Sequence, residues 1–200
     1  MGHPDKVADR ISDSVLDYAL GFDPHARVAC ETFITGGLLI IGGEIRAREL
    51  PADLDDHIER SARDTVRRIG YSGPGTGFDP EGADIRVVMQ EQSVDIARGV
   101  DRVAALGAGD QGLMFGYATN ETDELMPLPI VLSHRLVAQQ AAVRESGVVE
   151  GLRPDAKSQV TLSWADGGPK GVESGLLATP HEPRWHARAG ELGDRGLVRV

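Results

Sequence analysis

Residues 27–45 read RVACETFITGGLLIIGGEI, and their spacing indicates two strands joined by a turn. From Arg27 to Thr35, successive side chains alternate between two faces with the two-residue period of a β-strand. Gly36 and Gly37 favour a tight turn, and the apolar run that follows continues through Gly42 and Gly43 to Ile45. The stretch predicts a β-hairpin, and the two glycines in its second strand predict that another group comes close to the backbone there.

Amphipathic helices flank this hairpin. Apolar residues recur at helical spacing from Pro4 to Leu20 and again from Leu54 to Val66, where the pattern ends near Gly70. A short strand at 85–89 follows a loop rich in glycine and proline. The order helix, hairpin, helix, strand predicts an α+β fold with helices packed on one face of mixed or antiparallel sheets.

The order of helix and hairpin recurs in the second half of the chain. A third helix is predicted after Pro127 and Pro129, and a second hairpin has its turn at Asp166–Gly168. The chain therefore carries two copies of one supersecondary unit.

Composition restricts the partners and the compartment. A net charge of −10 and a pI near 5.0 argue against nucleic acid and anionic membranes, which would be repelled. The single Cys30 permits no internal disulfide, and neither a span of about 20 apolar residues nor a signal peptide is present. The sequence predicts a soluble, cytoplasmic protein.

The first residues, MGHPDK at 1–6, bring His3, Asp5 and Lys6 to the start of the first helix. Free N–H groups and the helix dipole favour an anion there, and a carboxylate could share a metal ion with it. Helix capping is the simpler interpretation of this segment taken alone. No P-loop, Rossmann fingerprint or zinc-ligand spacing is present elsewhere in the sequence.

Five segments together resemble the S-adenosylmethionine synthetase (methionine adenosyltransferase) family. They occur in the family's order, and the resemblance covers roughly residues 2–179: GHPDK at 2–6, ACET at 29–32, GGE at 42–44, GAGDQGLMFGYATNET at 107–122 and LRPDAKSQV at 152–160. The resemblance implies three related α+β domains around a pseudo-threefold axis, here incomplete. It also implies a homodimer or homotetramer with active sites between subunits.

The resemblance further implies a reaction. ATP, L-methionine and water would give S-adenosylmethionine, phosphate and diphosphate, with Mg²⁺ and K⁺ as cofactors. The methionine thioether attacks the ribose C5′ and expels tripolyphosphate. A thioether has no proton to lose, so the step needs alignment and stabilisation of the leaving phosphates rather than a general base.

Site residues carry over from the family motifs position by position. The resemblance implies catalytic roles for His3 and Lys157, ATP contacts from His3, Asp155 and Lys157, methionine contacts from Glu44, Gln92 and Asp110, a magnesium ligand in Asp5 and a potassium ligand in Glu31. Lys6 is either a phosphate contact or a solvated side chain.

Compared with the family pattern, the sequence reads as the N-terminal half of a synthetase, truncated at both ends. The predicted divisions are a first α+β unit at 1–91, an active-site loop and crossing segment at 92–126, part of a second α+β unit at 127–179, and a loosely ordered tail outside the family pattern at 180–200. The missing cationic motifs would lower or abolish activity of the isolated chain.

Three alternatives remain open at this point. The chain could be a catalytically silent homologue or fragment that pairs with a full-length synthetase. It could be a methionine-independent ATP or tripolyphosphate hydrolase, although Glu44 and Gln92 argue against this. It could also be a gene with a scrambled end, whose last residues have no function.

Overall fold

The computed structural model describes residues 2–92, 101–102, 105–106, 111–183 and 197–199, with the backbone alone at 101–102, 105–106 and 197–199. The chain divides into two compact units. The N-terminal unit comprises Pro4–Met114, and the C-terminal unit comprises Phe115–Val200 together with Met1–His3.

The N-terminal unit has the predicted order of elements. They are α1 (Pro4–Phe22), β1 (Arg27–Thr35), β2 (Leu38–Arg46), α2 (Leu54–Ile69), a 3₁₀ turn (Pro74–Thr76) and β3 (Asp84–Glu91), followed by the short strands β4 (Asp101–Arg102) and β5 (Ala105–Leu106). β1 and β2 form the antiparallel hairpin, and β3 pairs with β2 in parallel. β4 and β5 pair with each other in a separate antiparallel ribbon.

Both helices of this unit pack on one face of the sheet. Ile11 of α1, Ile58 of α2 and Leu39 of β2 are fully buried in one apolar cluster. Burial of each such side chain contributes about 1.5–3 kcal/mol. The opposite face of the sheet, here called the open face, leaves Phe33 60% and Val88 55% exposed. The α+β architecture with helices on one sheet face is thus confirmed.

The C-terminal unit repeats the arrangement with one helix. Its elements are α3 (Leu128–Glu145), β6 (Lys157–Ala165), β7 (Gly168–Ala178) and β8 (Leu197–Arg199), with the three strands antiparallel in that order. α3 packs on β6 and β7. The carboxylate of Glu121 accepts the N–H of Leu128 at 3.0 Å and so caps the start of α3.

Two predicted irregular segments are described only in part. In the glycine-rich segment, residues 93–100, 103–104 and 107–110 lie outside the described residues, as do residues 184–196 and 200 of the tail. Within the tail, Leu197–Arg199 pair with β7, which differs from the loosely ordered tail that the sequence predicts. Three residues are too few to produce a recognisable strand period.

A buried carboxylate ties two connections of the N-terminal unit together. Asp23, in the turn after α1, accepts the N–H of His25 at 2.9 Å and the N–H of Arg48 at 3.2 Å. The His25 N–H, and then the Arg48 N–H and guanidinium, hold the pKa of the Asp23 carboxyl below its usual value, although burial opposes the shift. The charged form of Asp23 therefore stabilises the fold.

We expect Asp23→Asn to be less stable than the wild type near neutral pH. An asparagine side chain is uncharged and has only one oxygen, so it cannot accept hydrogen bonds from both N–H groups. A lowered folded pKa adds stability that is present above the unfolded value of about 3.9 and is lost as pH falls through the folded value. The difference in urea-unfolding free energy between the two proteins should shrink as pH falls below about 4. A constant difference from pH 7 to pH 2 would contradict this role.

Candidate active site

The segment at residues 2–6 lies at the start of α1, as predicted. Pro4 is the first residue of α1, and Asp5 is the acidic residue of the first turn. Both side chains and that of Lys6 are exposed, and the Lys6 ammonium lies 3.9 Å from the Asp9 carboxylate. The helix start thus offers N–H groups, a carboxylate and an ammonium to a solvent-borne anion.

Gly2 contacts the LRPDAK segment at residues 152–157. Its N–H donates to the carbonyl of Pro154 at 3.1 Å, and Gly2 is buried. A Cβ at position 2 would lie 2.5 Å from the carbonyl carbon of Pro154 and 2.8 Å from the N of Asp155. Only glycine allows this approach, so Gly2 and the LRPDAK segment adjoin within the C-terminal unit.

Asp155 and Lys157 follow this contact directly. Asp155 is half-buried, and its buried Oδ1 has no hydrogen-bond partner among the residues that the structure describes. An unsatisfied buried acceptor costs about 1–3 kcal/mol, so a ligand donor at this atom would be favourable. Lys157 begins β6 and is exposed, which suits a cation that meets phosphate from solvent.

Arg153 is a cation to which the sequence motifs assign no role. The Nε of its half-buried guanidinium is buried and lacks a hydrogen-bond partner in the described part of the chain. Its position, two residues before Asp155, is the feature of the sequence that could have indicated a role in the same site. The segment 153–157 therefore offers two cations and a carboxylate.

Glu31 and Glu44 lie on the open face of the N-terminal sheet. In the register of β1 and β2, Ala29 faces Glu44 and Glu31 faces Gly42, which places both carboxylates on the face that also bears Phe33. Glu31 is exposed, while Glu44 is half-buried.

The two glycines before Glu44 serve the sheet itself. A Cβ on Gly43 would lie 1.9 Å from the carbonyl oxygen of Ala29, and the φ of Gly43 is +141°. A Cβ on Gly42 would lie 3.2 Å from the carbonyl oxygen of Val88. Strands β1 and β3 make the close backbone approach that the sequence predicts at this pair.

Gln92 lies at the same end of the sheet as Glu44. Its N–H donates to the carbonyl of Ile45 at 3.2 Å, and Gln90, two residues before it, is paired with Glu44. The buried Oε1 of Gln92 has no hydrogen-bond partner in the described ranges. Asp110, the third predicted methionine contact, lies outside the described residues.

The predicted metal ligands Asp5 and Glu31 do not belong to a cluster of ligating side chains in the part of the chain that the structure describes. No three His, Cys, Asp or Glu side chains converge there in a manner that could hold an ion. Asp5 and Glu31 fit a cation only as single carboxylates, so phosphate oxygens, water or another chain would have to complete its coordination.

An apolar segment stands out after residue 111. Leu113, Met114, Phe115 and Tyr117 are all exposed, and Phe115 reaches 92%. Exposed apolar side chains in sequence are typical of a surface that another protein covers.

Comparison with known proteins gives the same family at both ends of the chain. Residues 1–94 match the family model "S-adenosylmethionine synthetase, N-terminal domain", and residues 105–194 match "S-adenosylmethionine synthetase, central domain". The second match continues past residue 179, where the recognisable motifs end. In the described residues, no helix is long and apolar enough to cross a membrane.

One curated relative supports these matches. The S-adenosylmethionine synthase of a Nitratiruptor species is 49% identical over 183 residues, which are 91% of this chain and 46% of that protein. The chain therefore spans about half the length of the relative it matches.

Proposed function

Because this chain belongs to the S-adenosylmethionine synthetase family, we propose that it carries the first half of a methionine adenosyltransferase site. The reaction would convert ATP, L-methionine and water to S-adenosylmethionine, phosphate and diphosphate. The observation that supports the proposal is the hydrogen bond from Gly2 to Pro154, because it joins Gly2 and the adjacent His3 to the LRPDAK segment within the C-terminal unit.

The chemical step makes one bond and breaks one. A sulfur lone pair forms the S–C5′ bond, and the C5′–O bond breaks with its electron pair leaving on the tripolyphosphate. His3 would donate a hydrogen bond to the departing oxygen, where charge grows in the transition state. Lys157 would stabilise the charge on the phosphates as a second catalytic residue, and Asp155 would orient the nucleotide through its unsatisfied oxygen.

Methionine binding falls to the N-terminal unit. Glu44 would pair with the substrate ammonium, and the buried Oε1 of Gln92 would accept a hydrogen bond from one of the ammonium N–H groups. Asp110 is proposed as a further contact of the same substrate. A carboxylate and an amide oxygen at one end of a sheet both accept hydrogen bonds, so they suit an ammonium ligand better than a phosphate.

Two cations are proposed as cofactors. Mg²⁺, when bound, neutralises phosphate charge, and K⁺ adds positive charge to an otherwise acidic site. Asp5 would supply an oxygen to Mg²⁺ and Glu31 an oxygen to K⁺. Such cations are needed because tripolyphosphate carries about four negative charges and the chain itself has a net charge of −10.

A second subunit is the proposed protein partner. The open face with Phe33 and the apolar segment at Leu113–Tyr117 are surfaces that a homodimer or homotetramer would cover. The same exposure favours the second candidate function, in which this chain is catalytically silent and pairs with a full-length synthetase. A reducing cytoplasm remains the proposed compartment, because it suits the free thiol of Cys30.

The test is S-adenosylmethionine formation from ATP and L-methionine with Mg²⁺ and K⁺. The purified chain is assayed alone and after mixing with a full-length synthetase inactivated at its own catalytic histidine. We expect little or no product alone and clear product from the mixture, because the inactive partner supplies the remaining cations. A folded chain that forms the complex without product would favour the silent partner, and methionine-independent phosphate release would favour a hydrolase.

A further inference from the structure

Gln140 is a buried amide in the last half of α3. Its side chain is only 6% exposed, whereas its neighbour Gln139 is exposed. A buried amide is costly unless it is hydrogen-bonded, so the partners of Gln140 show what it holds in place.

The amide nitrogen of Gln140 donates to two segments. It lies 3.2 Å from the carbonyl oxygen of Arg153 and 2.8 Å from the hydroxyl of Thr179. One NH₂ group provides two donors, so both bonds can form at once. Gln140 thereby fastens the segment before β6 and the segment after β7 to the same point on α3.

These two segments also pair with each other. The N–H of Arg153 donates to the carbonyl of Pro180 at 2.9 Å, and the N–H of Glu182 donates to the carbonyl of Gly151 at 3.0 Å. Residues 151–153 are therefore held both by residues 180–182 and by Gln140.

Pro154 and Asp155 follow residues 151–153 directly in the sequence. Arg153 is followed by Pro154, whose carbonyl accepts the N–H of Gly2, and then by Asp155 with its unsatisfied Oδ1. Pro154 is one peptide bond away from the Arg153 carbonyl, and Asp155 is two peptide bonds away. A shift of that carbonyl would therefore displace both the Gly2 contact at Pro154 and the Asp155 carboxylate.

We propose that Gln140 is a positioning residue of the nucleotide site, which fixes the backbone of residues 153–155 so that Asp155 and Gly2 stay in place for the ligand. This inference rests on the proposed function, since the ligand in question is Mg·ATP. Gln140 itself touches no substrate. Its effect on the ligand passes through the Arg153 carbonyl.

The experiment compares Gln140→Leu with the wild type, and Gln139→Leu is the matched control on the same helix. Hydrogen–deuterium exchange of peptides covering 151–157 reports the backbone, and calorimetric titration with Mg·ATP, methionine omitted, reports the site. All measurements are made at a temperature at which far-UV circular dichroism shows every variant folded.

For Gln140→Leu we expect exchange in 151–157 to be about tenfold faster and the Kd for Mg·ATP to be about tenfold higher, with exchange in α1–β3 unchanged. Gln139→Leu should match the wild type. Thr179→Val, which removes one of the two acceptors, should shift both readouts in the same direction by less, and it keeps the proposal testable if Gln140→Leu does not fold.

Two results would overturn the inference. Unchanged exchange in 151–157 would show that Gln140 does not hold this segment, and faster exchange with an unaltered Kd would show a purely structural role. A folded wild type that binds no Mg·ATP would instead refute the proposed function, and the exchange data would still decide whether Gln140 fixes the segment.

Discussion

Gly43→Ala is expected to unfold the N-terminal unit. The added Cβ would lie 1.9 Å from the carbonyl oxygen of Ala29 and 3.2 Å from the Cα of Cys30, and both atoms belong to the backbone of the paired strand. The φ of Gly43, +141°, is also one that residues with a side chain rarely adopt. Neither the strand pairing nor the local conformation can accommodate the methyl group.

The expected loss exceeds about 4 kcal/mol, which is comparable to the whole stability of a typical domain. Gly42→Ala is the matched control, because its Cβ would lie 3.2 Å from the Val88 carbonyl oxygen, a contact that a small shift relieves. We expect Gly42→Ala to cost about 1 kcal/mol. Urea unfolding followed by far-UV circular dichroism measures both, and a Gly43→Ala protein within about 1 kcal/mol of the wild type would contradict the strand geometry.

His3→Ala is expected to lower the rate of S-adenosylmethionine formation by a factor of about 10² to 10³. A hydrogen-bond donor aimed at growing negative charge contributes about 3 kcal/mol to transition-state stabilisation. Because the leaving oxygen gains charge only during the reaction, the Kd for Mg·ATP should change much less than the rate.

The control for this substitution is His134→Ala, since His134 is an exposed histidine on α3. The rates are compared in whichever preparation yields product, the chain alone or the mixture with the inactivated synthetase. Product that persists at the wild-type rate in His3→Ala, but is absent from a mock preparation of host protein, would remove His3 from the mechanism.

Local pattern predicted the elements of this fold well. The alternation at 27–35, the turn at Gly36–Gly37 and the helical spacing that ends at Gly70 correspond to β1, the hairpin and α2 as the structure has them. Each of these signals is read within a few residues, because side-chain periodicity is set by the element itself.

Contacts between distant segments could not be predicted in this way. Nothing in the residues around Gly2 indicates that its N–H meets the carbonyl of Pro154, and nothing around Gln140 indicates that it bonds to Arg153. For the same reason, the sequence predicts a close approach at Gly42–Gly43 without identifying the neighbour. A glycine shows that something comes close, and only the strand register shows that the neighbour is the backbone of the sheet.

The site motifs differ in how far geometry supports them. The family motifs named His3, Asp155 and Lys157, and the structure adds the Gly2 contact that sets their segments side by side. Arg153 lies inside the LRPDAKSQV motif, but the sequence assigns it no role. That its Nε is buried without a hydrogen-bond partner is visible only in the structure.

We propose that the close approach of Gly2 to Pro154 shapes a nucleotide site within the C-terminal unit, and titration with Mg·ATP in the absence of methionine measures binding to that site. Wild type, Gly2→Ala and Gly21→Ala are compared by calorimetry, because a Cβ at Gly21 meets nothing within 4 Å. We predict that wild type and Gly21→Ala bind Mg·ATP equally, and that Gly2→Ala binds it at least about tenfold more weakly, since small displacements of binding groups are costly. Absence of binding by the folded wild type, or equal binding by Gly2→Ala, would contradict the account.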